Sequence, residues 1–361
     1  MVEAEARRHR SIASLALHFE VNPTTLSRAW RYWRARSAGS LPMLGSLLNR
    51  APTFEDEPTI ETDLSDMPSA RPPDHGHGVA PPRPEQPANE NEGRLTPPDS
   101  GWILITSDHH YPVHDKRCES AVAAFARDIR PDRWIFNGDV LDCWWMSRHQ
   151  KEARRLFAPD SGPRLVDELD AFRPLGQLAC DVSRWVDIGE GNHEARVRAH
   201  INEHPALFRL PGLTWSAMMD LGRANVSFHG THYRLWLDSL SVVHGDRIGG
   251  RFGVKHACDW VLSNTGRTTV FGHTHRVASL YRATPRAHGP GLTPLLAING
   301  GHLCATEEAH DWCPDPAWTH GFVAVEFYTT AGVRHYTAHP IAIIDGRFSF
   351  AGRVYDGRRL M

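Results

Sequence analysis

The chain has 361 residues, enough for one large domain with appendages or for two domains of ordinary size. Its 40 Lys and Arg stand against 42 Asp and Glu, so whole-chain charge singles out no polyanionic partner. Six cysteines lie scattered without a C-x-x-C pair, which argues against a disulfide framework or a thiolate zinc site. No apolar run approaches the ~18 residues of a membrane span, and the N-terminus lacks the apolar core of a signal peptide. The expectation is a cytoplasmic protein with no membrane partner.

The first 36 residues form a short basic head, with seven Arg against three Glu. Ile12, Leu15, Ala16 and Phe19 recur at helical spacing, and Val21-Asn22-Pro23 then supplies a turn, an N-cap and a first-turn proline. Leu26, Trp30 and Trp33 share one side of the following helix, leaving Thr24, Thr25, Ser27, Arg28, Arg31 and Arg34 to face outward. This pattern is similar to a helix-turn-helix, whose second helix reads DNA through its N-terminal residues. A helical hairpin for self-association or protein docking is the competing reading. The chain holds only three lysines, so arginine is its ordinary cation, and the usual glycine of the turn is absent.

Residues 37–100 hold twelve of the 26 prolines, eleven acidic residues and four basic ones, with almost no aromatics. Such a composition cannot bury enough apolar surface to offset its ordering entropy, and it predicts a disordered linker.

From residue 101 the pattern becomes that of an α/β domain, expected to run to residue 345. "WILITS" (102–107) is a strand-like run that ends in Asp108-His109-His110. Cys118, Val122, Phe125 and Ile129 mark a helix face, and "RWIFN" (133–137) is the next strand-like run, ending in Gly138-Asp139. The 31-residue separation of Asp108 and Asp139 suits one β-α-β unit. The same grammar returns at "RWVDIGEGNHE" (184–194), "LSVVHGD" (240–246) and "TTVFGHTH" (268–275). Each polar cluster follows an apolar strand, where ligands bind in open α/β sheets. Residues 147–182 and 195–222 look mainly helical and are expected to cap the pocket. "PLLAING" (294–300), "FVAVEFY" (322–328) and "VRHYTA" (333–338) are expected to complete a second sheet. Residues 346–361 read as a turn-rich C-terminal tail.

Together the clusters resemble the calcineurin-like metallophosphoesterase superfamily. Its five ordered motifs D-x-H, G-D-x-x-D, G-N-H-[DE], H and G-H-x-H are matched by Asp108-His109-His110, Gly138-Asp139-Val140-Leu141-Asp142, Gly191-Asn192-His193-Glu194, His244 and Gly272-His273-Thr274-His275. The run 299–322 also resembles what bacteriophage and prophage members carry after the last motif. The resemblance implies an α/β fold, a two-sheet β-sandwich flanked by helices, with a binuclear metal centre at one end of the sheets.

Carried over residue by residue, the resemblance places Asp108, His110 and His275 on one ion, and Asn192, His244 and His273 on the other, with Asp139 bridging. Carboxylate, amide and imidazole ligands without thiolate suit Mn²⁺ first, with Fe or Zn²⁺ as alternatives. Two divalent ions bring about four positive charges, of which Asp108, Asp139 and a bridging hydroxide remove about three, so the site stays positive toward a phosphate ester. The implied reaction is in-line attack of that hydroxide on phosphorus. His193, oriented by Asp142, is the implied proton donor to the leaving group.

His109 is left either to contact substrate or to pack. Asp142 is followed by Cys143-Trp144-Trp145 where the protein Ser/Thr phosphatase branch has Arg-Gly, which disfavours a protein substrate. The Trp pair suits core packing better than base stacking. Arg247, Arg251, Lys255 and Arg276 lie near the metal motifs and could hold substrate phosphates or remain solvated surface charges. The expected function is a metal-dependent phosphodiesterase or nuclease acting on nucleic acid. The alternatives are a phosphomonoesterase, and a DNA-binding or docking protein with a non-catalytic phosphoesterase scaffold.

Overall fold

A computed structural model describes residues 92–147, 164–204, 207, 210, 212–248, 256–285, 292–306 and 317–359. The basic head, with Thr24, Thr25, Ser27, Arg28 and Arg31, and nearly all of the proposed linker lie outside the described residues. So do Arg251 and Lys255.

Fourteen strands are described: β1 (Glu92–Leu95), β2 (Gly101–Thr106), β3 (Arg133–Phe136), β4 (Trp185–Gly189), β5 (Val226–His229), β6 (Arg234–Leu237), β7 (Leu240–Val242), β8 (Thr268–Phe271), β9 (Val277–Pro285), β10 (Leu292–Gly300), β11 (Gly321–Thr330), β12 (Val333–Ala342), β13 (Arg347–Phe350) and β14 (Arg353–Asp356). The α-helices are α1 (Lys116–Ile129), α2 (Leu165–Val182), α3 (Ala195–Glu203), the one-turn α4 (Trp215–Met218) and α5 (Ala257–Thr265). One six-stranded sheet has the order β12-β11-β2-β3-β4-β5, the other β1-β6-β7-β8-β10-β9, and β13 pairs with β14.

The first sheet is built on parallel β2, β3, β4 and β5. Two of its crossovers carry α1 and α2, both packed on its outer face. Its inner face supplies Ile103, Ile105 and Ile135 to a core shared with Leu235, Leu237, Val270 and Ile298 of the second sheet. On the far side of the second sheet, Val261 and Leu262 of α5 pack with Phe271 and Ala297. The layers therefore run helix, sheet, sheet, helix. Strands covered on both faces are buried at every residue rather than alternating, as β3 and β8 illustrate.

Helix α1 begins where Asp115 accepts hydrogen bonds from the N–H groups of Arg117 and Cys118, satisfying two orphan donors of the first turn. It buries Cys118, Val122 and Phe125 as their spacing predicts, and ends at Arg130 in the left-handed conformation.

Four sequence expectations need correction. Residues 92–95 are a strand rather than linker, pairing in parallel with β6 from Glu92 opposite Arg234 to Leu95 opposite Leu237. This half-exposed edge strand is too short and polar to stand out from the proline-rich run before it. Strands β11 and β12 join the first sheet, β11 lying antiparallel to β2, while the second sheet is finished by β10 and β9. Helix α2 is a layer helix, with Phe172, Leu175 and Ala179 buried, rather than part of a cap.

The tail from residue 346 is integral to the domain. Phe348 and Tyr355 of its hairpin are buried against Phe125 of α1, with ring centroids 5.6 and 5.2 Å away. Its three glycines are turn punctuation around two short strands whose aromatics face inward. Phe348→Ala should therefore cost about 3–5 kcal/mol of stability, read as a lower urea midpoint with unchanged slope. An unchanged midpoint would show the tail to be an independent appendage.

Candidate metal centre

The five motif loops leave the C-terminal ends of β2, β3, β4, β7 and β8, strands of both sheets that end at the same edge of the sandwich. Backbone bonds lock these loops together. Asp108 N–H donates to Gly138 O (3.1 Å), His110 N–H to Asp139 O (3.0 Å), and Gly272 N–H to His244 O (2.8 Å). Asp108, His110, Asp139, His273 and His275 all have positive φ, between 49° and 64°. Asp and His enter that region more readily than most residues, yet five in one site is an unusual concentration. A Cβ at Gly138 (φ 82°) would stand 2.5 Å from His244 Nδ1, and one at Gly272 would collide with the Ser107 hydroxyl. Glycine at these two positions lets the loops close on the site.

Each carboxylate is held by one oxygen and presents the other. Asp108 Oδ2 accepts from the Ser107 hydroxyl and from His273 N–H (2.8 Å). Its Oδ1 lies 3.2 Å from His275 Nε2 and 3.9 Å from His110 Nε2, without a hydrogen-bond partner. Asp139 Oδ1 accepts from His193 N–H at 2.9 Å. Its Oδ2 faces His244 Nε2 at 3.3 Å and both His110 Nε2 and His193 Nε2 at 4.0 Å. His244 Nε2 is also 3.0 Å from Asn192 Oδ1, and its Nδ1 is 2.9 Å from Asn137 O, which fixes the ring.

The donor set fits metal ions. Asp108, His110 and His275 form one group of converging ligand atoms, and Asp139, His244 and His273 another. Asp139 also groups with His110 and His193, so its free oxygen belongs to both sides of the site. The imidazole nitrogens of His110 and His275 approach to 3.2 Å, and an orphaned, fully buried carboxylate oxygen sits beside them. A cation would satisfy all three at once.

Electrostatics point the same way. Burial would raise the Asp108 carboxyl, but the facing His275 and His244 imidazoles outweigh it and bring it down to about 2. Burial likewise opposes ionisation of Asp139, yet His244 and His193 hold it well below the ordinary carboxylate range. His244 is disfavoured as a cation by burial and favoured more strongly by Asp139, which lifts it to about 10. Burial and the neighbouring His193 push His110 down to about 4, so it offers a neutral ring. The site holds anionic carboxylates and one imidazole whose proton a metal would displace.

Among the other sequence candidates, His193 Nδ1 lies 3.1 Å from Asp142 Oδ1 and 2.6 Å from Asp142 O. Arg276 follows His275 directly and is half-buried, whereas Arg247 is exposed in the turn after β7. His109 packs. Both of its ring nitrogens are buried without partners between Tyr111 and Phe136, and burial lowers it to about 3. Trp144 is wholly buried, as a core residue.

Glu194 closes the G-N-H-E motif, yet sequence reasoning assigns it no task. Its carboxylate accepts from the N–H groups of Asp139 (3.1 Å), Leu141 (2.7 Å) and Gly191 (2.9 Å), tying the β3 and β4 loops together. Burial, with Asp139 nearby, raises it to about 8. His302 and Trp318 were also invisible. The His302 ring stacks on His275 at 4.9 Å and Trp318 meets it edge-on at 4.3 Å. Only the Gly-Gly-His run after β10 hinted at them.

No protein-family model matches the chain. It is 26% identical over 260 residues to the Gene 54 protein of Mycobacterium phage L5, covering 70% of this chain and 98% of that protein. The Gene 54 protein of Mycobacterium phage D29 is 27% identical over 263 residues, with the same coverage. Among solved structures, vacuolar protein sorting 29 from Cryptosporidium parvum aligns at 11% identity and a TM-score of 0.33, over 67% of this chain and 98% of that one. A predicted phosphoesterase from Streptococcus pneumoniae TIGR4 aligns at 13% identity and a TM-score of 0.27, over 66% and 98%.

Metal analysis of single variants tests the assignment. His273→Ala and His275→Ala should each lose one ion, and Asp139→Asn should loosen both; equal loss from all three would remove the distinction between the two groups. Because His244 must shed its proton to coordinate, cation affinity should rise with pH through the neutral range and binding should release protons. A titration in weak buffer that detects no proton release would contradict this.

Proposed function

We propose that the chain is a metal-dependent phosphoester hydrolase whose substrate is a phosphodiester of nucleic acid. The observation that carries this reading is Asp139, with one oxygen fixed by the His193 N–H and the other turned toward His110, His193 and His244. A carboxylate so divided suits a bridge between two cations, one held by Asp108, His110 and His275, the other by Asn192, His244 and His273. Such a pair, manganese first among the candidates, would supply Lewis-acid stabilisation of phosphoryl oxygens and activation of water for in-line attack. Asn192 contributes a neutral oxygen where a carboxylate would cancel the charge that attracts phosphate.

The chain's own proton chemistry falls to His193. The Asp142 carboxylate and carbonyl both face Nδ1, so that nitrogen keeps its proton and Nε2 is directed at the site. Protonated at Nε2, the ring can donate to the leaving alkoxide. Arg196, one helical turn further on, donates to the same Asp142 carbonyl at 3.1 Å and steadies it.

The basic head suits delivery of a polyanion. Arg28 and Arg31 would contact phosphates, and Thr24, Thr25 and Ser27 would lie at the start of a groove-entering helix. The phage relatives agree with the resemblance of residues 299–322 to phage sequences.

His193→Asn should lower kcat by about 10²–10⁴ with metal content intact, as expected for a lost general acid. An unchanged kcat would remove His193 from the reaction. Substrate class is tested by assaying the Mn²⁺-loaded full chain on bis(p-nitrophenyl) phosphate, p-nitrophenyl phosphate, and single- and double-stranded DNA. Hydrolysis of diester and DNA is expected. Activity confined to the monoester would sink the nuclease reading, and inactivity with Mn²⁺, Fe²⁺ and Zn²⁺ alike would favour a scaffold.

A further inference from the structure

Beside the GHTH loop lies a cleft of about 450 Å³ that none of the motif assignments uses. Its volume falls within the ~300–1,000 Å³ of small-molecule sites. One wall is the start of α5 with His256 and Cys258. The other is the beginning of β9 after Arg276, and Asn299 and Thr319 also line it.

Three features favour an anion there. The nine-residue helix α5 opens without a side-chain cap at His256, so its first-turn N–H groups and the positive end of its dipole address the cleft. Among the described residues, Arg276 makes no hydrogen bond or ion pair, and its Nε is buried without a partner. Asn299 is only 1% exposed; its amide nitrogen meets the Thr274 hydroxyl and its Oδ1 has no partner. A half-turn of that amide keeps the Thr274 contact, with the hydroxyl as donor, and offers an NH₂ group instead. The one acid of the lining, Asp259, is already paired with Arg282 at 2.7 Å.

The cleft is coupled to the metal site through the chain itself. Arg276 follows the ligand His275, Thr274 between the two ligand histidines holds Asn299, and Thr319 N–H donates to His275 O at 2.8 Å. We propose that this cleft, whose Arg276 directly follows His275 in the chain, binds a second phosphate of the substrate and so selects molecules that carry more than one phosphate. This rests on the phosphoester hydrolase reading for the identity of the first phosphate, whereas the anion site stands on its own residues.

Two arms test it, both with the full chain. In the first, the Mn²⁺-loaded protein hydrolyses the thymidine dinucleotide diester with no terminal phosphate, with a 5′-phosphate, or with a 3′-phosphate. One phosphorylated form should be preferred by about 10- to 100-fold in kcat/KM, mainly through KM, the range for a charge-assisted contact. Arg276→Gln should abolish the preference. In the second arm, inorganic phosphate is titrated calorimetrically into metal-free protein in the presence of chelator. Binding should be measurable and should weaken in both Arg276→Gln and Asn299→Asp, with thermal unfolding confirming that the variants fold.

Equal rates on all three dinucleotides, or a preference that survives Arg276→Gln, overturn the proposal while leaving the hydrolase reading intact. Phosphate binding lost in the variants without any substrate preference assigns the cleft to free phosphate and likewise overturns it. No hydrolysis with any metal, alongside Arg276-dependent phosphate binding, removes the hydrolase reading and with it the role for a second substrate phosphate, leaving only the anion site.

Discussion

Asp139 occupies a position from which most of the site can be derived. One of its oxygens is bound to the His193 N–H, so it is fixed with respect to the β4 loop. Its backbone carbonyl accepts from His110 N–H, fixing the β2 loop, and its own N–H is bound by Glu194. The remaining oxygen is left in a buried space bounded by imidazoles, where an isolated negative charge would be costly. The protonated His244 ring offsets that charge in part, and divalent cations would do so more fully.

Glu194 extends the same logic outward. A carboxylate that accepts three backbone N–H groups from two loops acts as a crosspiece between β3 and β4. Burial, and after it the nearby Asp139 charge, make its proton harder to lose and raise the group to about 8. The site therefore crowds carboxyl groups beyond its candidate ligands, and cations bound there would relieve Glu194 as well as Asp139.

Much of this was legible in the chain because the motif residues are tied to strand ends. Asp108 after "WILITS", Gly138-Asp139 after "RWIFN" and His273 to His275 after "TTVF" sit where strand-like runs stop; the parallel pairing of β2, β3 and β4 aligns the ends in one sheet, that of β7 and β8 in the other, and the His273 N–H to Asp108 bond joins the two. The partition of strands between sheets was not legible. β10 and β11 are both long and largely apolar, and only long-range pairing decides that one joins β8 and the other β2. His302 and Trp318 escaped for a related reason. They reach His275 through packing across loops, and no local spacing encodes such a contact. Residues 92–95 and the C-terminal hairpin were obscured by the proline and glycine around them, which set the composition of a window more strongly than a four-residue strand can.

The left-handed backbone at five of the candidate ligand positions limits how such a centre could change. A Glu in place of Asp108 or Asp139 would keep the charge, but it would have to hold the same positive φ with a longer and less tolerant side chain. A β-branched residue at any of the five would be worse. Retuning the site for another metal by exchanging ligands would thus meet resistance from torsion angles before coordination preference is felt. Variation among such chains should collect in the uncommitted walls around the centre, leaving the ligand loops with few chemical alternatives.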